Sequence, residues 1–144
     1  MGGVGFIPLA PGTWGTALAL PLIYFSYPLL SFSLLIILTL GMTIASGFYL
    51  QHLNVKFGLK DHGWIVLDEF VAVLLAAVLA PSVSFFWLLA LFLVFGVLDI
   101  VKIWPANYFD QRLKNGWGIL LDDIAAAGQS ILILWLIKLF SLYA

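Results

Sequence analysis

Long apolar runs, cut by prolines and short polar loops, leave this chain few ways to fold. Residues at roughly 31–52, 83–103 and 118–141 form three runs of about 20 residues, the length that crosses a bilayer as a helix. Two shorter runs, roughly 15–28 and 65–80, stop at Pro28 and before Pro81. The second of these is about 24 Å long as a helix, short for a span, so it would thin the bilayer or begin deeper than its neighbours. In lipid every backbone N–H and C=O must be paired internally, so the runs predict helices, not open strands. Of the 144 residues, 64% are hydrophobic and 9% are charged, against about 25% charged in an average soluble domain. The expectation is an all-α, polytopic membrane helix bundle of four to five transmembrane helices, forming one domain over residues 1–144. A net charge of -1 offers nothing to a nucleic acid, and the absence of Cys excludes disulfides, thiolate metal sites and cysteine-based phosphatase chemistry.

Basic residues orient the bundle. Lys56 and Lys60 fall in the loop before the 65–80 run, and Lys102, Arg112 and Lys114 fall at and after the end of the 83–103 run. Five of the six basic residues therefore share one side, which the positive-inside rule makes cytoplasmic; Lys138 is the exception.

Five carboxylates sit in or at the edge of these apolar runs: Asp68, Glu69, Asp99, Asp122 and Asp123. An Asp at membrane depth costs about 2.5–3.5 kcal/mol on insertion scales. The predicted topology puts all five, with Asp61 in the preceding loop, in one layer near the cytoplasmic surface. Dipole complementation in a first helical turn, about 0.3–1 kcal/mol, would account for Asp68 or Asp122 alone. It does not account for two adjacent pairs, nor for Asp99 at a helix C-terminus, where negative charge is unfavourable. Asp99 has Lys102 three residues on, so a plain ion pair between them is one reading and a shared site is the other. Hard oxygen donors with no Cys and few His favour Mg²⁺ over zinc, held by one or two carboxylates together with substrate phosphate. Asp110, in the polar stretch YFDQRLKNG, reads as a solvated charge.

A second constellation is GFIPLAPGTWGT, residues 5–16. Gly12 and Gly15 permit close backbone approach, while Thr13 and Thr16 offer hydroxyls and possible N-caps. A glycine-rich turn opening a helix is an anion site in principle; the plainer reading is an ordinary capped start to a membrane helix. His52 and His62 flank the basic loop as interfacial histidines, and Trp64, Trp104, Tyr108 and Trp117 read as an aromatic belt.

Four stretches, GFIPLAPGTWGT, DHGWIVLDEF, VLDIVKIWPANYFD and GILLDDIAAAG, resemble the successive motifs of the bacterial phosphatidylglycerophosphatase A family, in order over nearly the whole chain. The resemblance implies a Mg²⁺-dependent lipid phosphatase of the bacterial inner (cytoplasmic) membrane, multi-pass and with its site facing the cytoplasm. Its substrate would be the phospholipid phosphatidylglycerophosphate, converted to phosphatidylglycerol, with no obligate protein partner. The family's motif residues fall on Pro11, Gly12, Thr13 and Gly15, on Asp61, Asp68 and Glu69, on Asp99, Lys102, Pro105 and Asp110, and on Gly118, Asp122 and Asp123. The roles implied are metal binding by Asp68, Glu69, Asp122 and Asp123, substrate binding by Gly12, Thr13, Gly15, Thr16 and Lys102, and catalysis by Asp61, Asp99 and Lys102. A cation so held would bind the phosphomonoester oxygens and activate water, with Lys102 and the Gly-Thr stretch offsetting phosphate charge and Asp99 or Asp61 handling a proton. The chain departs from the family pattern at Gly96, where Arg is common, and at Ile103, where Pro follows the Lys; Arg112 is the substitute cation this suggests.

Three rivals follow from the same residues. Intramembrane acids also mark ion- or proton-coupled transporters, although those acids lie nearer the midplane. A CDP-alcohol type transferase would need an Asp-Gly pair, and none occurs. A covalent aspartyl-phosphate route is the alternative mechanism, without the D-x-D pattern expected for its haloacid-dehalogenase version.

Overall fold

The computed structural model describes residues 11–58 and 66–143. Every regular element among them is helical: α1 (Pro11–Ser26), α2 (Phe32–Phe57), α3 (Leu67–Leu79), α4 (Phe85–Val101), α5 (Ala106–Arg112) and α6 (Gly116–Tyr143). By length and apolar composition α2 and α6 can each cross a membrane, and α4 with α5, bent by 44°, makes a third candidate. The helix α5 corrects the reading of residues 106–112 as an irregular polar loop.

The shortest of the apolar helices is the innermost. α3 packs against α1, α2 and α6, and Phe70, Val71, Ala72, Val73, Leu74, Ala76, Ala77 and Val78 are all buried. A helix that is apolar on every face belongs in the interior, and its alanines let neighbouring backbones approach. Large apolar side chains point outward instead on the surrounding helices, among them Phe25, Ile37, Phe48, Leu132 and Phe140, as expected for surfaces facing lipid.

Three buried hydroxyls are satisfied within their own helices. Thr39 donates to the Leu35 carbonyl at 2.9 Å, Thr43 to Thr39 at 2.8 Å and Ser130 to Ala126 at 2.8 Å. Such i−4 bonds solve the polar-group problem locally, so these residues are structural.

Glycines set the closest helix approaches. A Cβ on Gly47 would enter the Trp117 ring, one on Gly116 would meet the Leu50–Gln51 backbone, and one on Gly118 would meet the Leu113 carbonyl. The start of α6 is therefore pressed onto α2, and its Asn115 cap accepts from the Gly118 N–H at 2.8 Å. At the other end of the bundle, α6 reaches over the C-terminus of α3. Trp135 Nε1 donates to the Leu79 carbonyl and Lys138 Nζ to the Pro81 carbonyl, both at 3.0 Å. Trp135 thus takes an orphan helix-end carbonyl, and Lys138, the one lysine that the charge rule left out, takes a carbonyl of the turn just beyond it.

Candidate functional site

Three helices bring the acids together at one end of the bundle. Asp68 and Glu69 lie in the first turn of α3. Asp99 lies in the last turn of α4. Asp122 and Asp123 lie on α6, which begins at Gly116; they are in its second turn, deeper than the first-turn placement that dipole complementation requires. Asp68, Asp122 and Asp123 are buried, and Glu69 and Asp99 are partly buried. All five are within Coulombic reach of one another. The convergence expected from the charge pattern is thus present in the fold. Asp61 and His62 lie outside the described residues, while His52 is exposed.

Each acidic pair repeats one local arrangement. Asp68 Oδ1 accepts from the Glu69 N–H at 3.0 Å, and Asp122 Oδ1 accepts from the Asp123 N–H at 3.1 Å. The first acid of each pair is thereby tied to the helix.

The cation in this layer is Lys102, and its partners differ from the expected one. Its ammonium donates to Asp122 Oδ2 at 2.7 Å and to Asp110 Oδ1 at 2.8 Å; among the described residues Asp99 has no ion-pair partner. Backbone geometry is the reason. Lys102 caps α4 in the left-handed conformation, φ 46°, so it leaves the helical register in which i and i+3 side chains meet. Asp110 comes from α5, which the loop reading had dispersed into solvent.

The glycine-threonine stretch is not a turn before a helix. Gly12, Thr13, Gly15 and Thr16 all lie in α1, helical from Pro11, so neither threonine caps it; the helix starts earlier because Pro at a first helical position costs nothing. The close approaches that the glycines permit are to α3. A Cβ on Gly12 would collide with the Glu69 carboxylate, and one on Gly15 would come within 3.0 Å of the Val66 carbonyl. Gly12 is thus beside the acidic layer. Thr16 is buried, and Thr13 faces outward. A Cβ on Gly96 would meet open space, so that position is not packed into the layer, and Arg112 is exposed.

Does the donor set suit a hard cation? Among the described residues only one of the five carboxylates, Asp122, pairs with an ammonium, and Lys102 divides that ammonium between Asp122 and Asp110, which leaves negative charge uncompensated in a low-dielectric place. Oxygen donors in excess are what Mg²⁺ takes. No three His, Cys, Asp or Glu among the described residues stand ready-made around an ion. Mg²⁺ needs only one or two protein carboxylates with phosphate and water, so donor type and charge fit.

Two polar residues at this end escaped the sequence reading. Gln51 on α2 accepts the Gly116 N–H at 3.0 Å. Gln129 on α6 donates to the Trp104 carbonyl at 2.7 Å. Neither stands in a recognisable pattern; Asn115 before a Gly-Trp-Gly helix start was a readable cap.

Comparison with known proteins identifies the family. The family model for phosphatidylglycerophosphatase A matches residues 1–138. A phosphatidylglycerophosphatase A of Haemophilus influenzae is 37% identical over 140 residues, 97% of this chain and 86% of the relative. One of Escherichia coli is 38% identical over 138 residues, 94% of this chain and 78% of the relative. A more distant relative from Bacteroides thetaiotaomicron, 30% identical over 92% of this chain and 86% of its own length, is provisionally named a phosphatidylinositol-3-phosphatase. No solved structure matches. With its motifs in order and the family model matched almost end to end, the chain belongs to the phosphatidylglycerophosphatase A family, a family of phosphatases.

Proposed function

We propose that this enzyme is a Mg²⁺-dependent phosphatase that hydrolyses phosphatidylglycerophosphate to phosphatidylglycerol and phosphate. It would work at the cytoplasmic face of a bacterial inner membrane, in a bundle whose apolar helices cross four to five times. The observation that carries the reading is the gathering of five carboxylates from α3, α4 and α6 at one end of the bundle, with Lys102 bonded to Asp122 and with Gly12 of α1 against Glu69. The place of the layer at one end of the bundle supports a site that a lipid headgroup reaches from the membrane surface, over the midplane site of a transporter.

Asp68, Glu69, Asp122 and Asp123 would hold the cation. When bound, it supplies charge neutralisation for the phosphate oxygens and activation of water. Lys102 has three N–H donors, and Asp110 and Asp122 take two. The third remains for a phosphate oxygen, and the two carboxylates fix its direction. With the other four acids of the layer given to the cation, Asp99 is the one left to orient water or return a proton to the leaving glycerol oxygen; Asp61 is the second candidate. Thr13, Thr16 and the backbone at Gly12 and Gly15 would line the headgroup side.

The test is phosphate release from phosphatidylglycerophosphate by protein purified in detergent, with Mg²⁺ and with EDTA. Release that needs Mg²⁺ is expected, and no release in either condition would sink the reading. Phosphatidylinositol 3-phosphate in a parallel arm checks headgroup choice. For orientation, cysteines introduced by Lys114→Cys and Ser82→Cys should label from opposite sides of sealed vesicles.

A further inference from the structure

Lys102 is followed by a sharp change of direction, and one side chain of α6 holds the backbone there. Gln129 Nε2 donates to the Trp104 carbonyl at 2.7 Å and lies 3.5 Å from the Ile103 carbonyl. Gln129 is seven residues beyond Asp122, so the two lie on one face of α6, about 10.5 Å apart along its axis. Asp122 holds the Lys102 ammonium; Gln129 holds the backbone one and two residues on. The segment between these grips contains the left-handed Lys102, a conformation that a non-glycine residue keeps only when its surroundings impose it. The Gln129 side-chain oxygen is buried with no donor among the described residues. Its burial is therefore unfavourable at that atom, and the bond made by the other end of the amide is what the residue contributes.

We propose that Gln129 is a positioning residue for Lys102: its amide clamps the turn after Lys102 onto the face of α6 that carries Asp122, and so aims the ammonium into the carboxylate layer. The proposal rests on the phosphatase reading for its kinetic consequence but not for the clamp itself, and the two are tested separately.

The clamp is read with 5-fluorotryptophan, using the fluorine resonance of Trp104, assigned by its loss in Trp104→Phe. In Gln129→Met, which keeps the length but has no donor, and in Gln129→Glu, whose carboxylate repels the carbonyl, the Trp104 resonance should shift while that of Trp135 stays. Kinetically, each variant should lower kcat about 10-fold, with KM within about twofold, as expected for loss of one aligned hydrogen bond that acts on geometry. A double variant, Lys102→Met with Gln129→Met, should be no slower than Lys102→Met alone, because residues acting through one group are non-additive. An unmoved Trp104 resonance overturns the clamp. Losses that multiply in the double variant, or a Trp135 resonance that moves as well, make Gln129 a general structural residue and overturn its positioning role. If the wild type releases no phosphate at all, the functional reading fails while the fluorine measurement still decides the clamp.

Discussion

Removing the ammonium of Lys102 should uncouple stability from charge balance in a way that can be measured. Asp122 is 7% exposed and Asp110 is 36% exposed, with Lys102 between them at 29%. The Asp110 half is close to a surface ion pair, worth about 0–1 kcal/mol. The Asp122 half resembles a buried pair, where stripping one partner costs about 3–5 kcal/mol; exposure of the lysine reduces this to about 2. Lys102→Met should therefore lose about 2–3 kcal/mol. Lys102→Gly loses the same ammonium but relieves the left-handed backbone, so it should be about 0.5–1 kcal/mol more stable than Lys102→Met. Adding Asp122→Asn to Lys102→Met removes the stranded charge and should return about 2 kcal/mol without restoring phosphate release. The assay is reversible unfolding in mixed micelles, followed by tryptophan fluorescence, with activity measured on the same samples. A glycine variant no more stable than the methionine variant refutes the backbone term. A double variant as unstable as Lys102→Met refutes the ion-pair term.

Asp123→Asn should abolish phosphate release yet leave the metal-free protein at least as stable as wild type, since it removes a buried charge; full activity would take Asp123 out of the site. Gly47→Ala should destabilise by about 1–3 kcal/mol, because the Trp117 ring fills the space, with kcat of the folded protein unchanged. Gly12→Ala should do the opposite, costing little stability because the Glu69 side chain can move, but lowering phosphate release about 10-fold or more through that displaced carboxylate.

The fold and the acidic layer were legible because both rest on strong, local signals. Apolar runs and their prolines locate α2, α3, α4 and α6 to within about five residues, and the lysine distribution alone puts Asp68, Glu69, Asp99, Asp122 and Asp123 at one end. What was not legible depends on the path of the backbone between helices. Helical spacing offered an Asp99–Lys102 ion pair as one of two readings, but the left-handed cap breaks that spacing and the side chain reaches Asp122, twenty residues on. Asp110 looked solvated because α5 is too short and too polar to stand out. Gly12 and Gly15 suggested a ligand loop, whereas their missing side chains serve contact between α1 and α3. In each case tertiary contact overrode a correct local rule.

The two ends of the bundle depend on each other through α3. That helix is buried on nearly every face and fixed at its C-terminal end by Trp135 and Lys138 of α6. From Asp68 to Leu79 is eleven residues, about 16.5 Å of helix, and from Asp123 to Trp135 is twelve, about 18 Å. Helices α3 and α6 run in the same direction over nearly equal lengths, so the latch at the far end sets the level at which Asp68 and Glu69 meet Asp122 and Asp123. A layer of like charges repels itself and would otherwise slide apart. Packing of α3 against α1, α2 and α6 opposes this along its whole length, and the two contacts to backbone carbonyls add to it at the far end. The carboxylates can then stay too close together for their own stability, the condition under which a bound cation gains most.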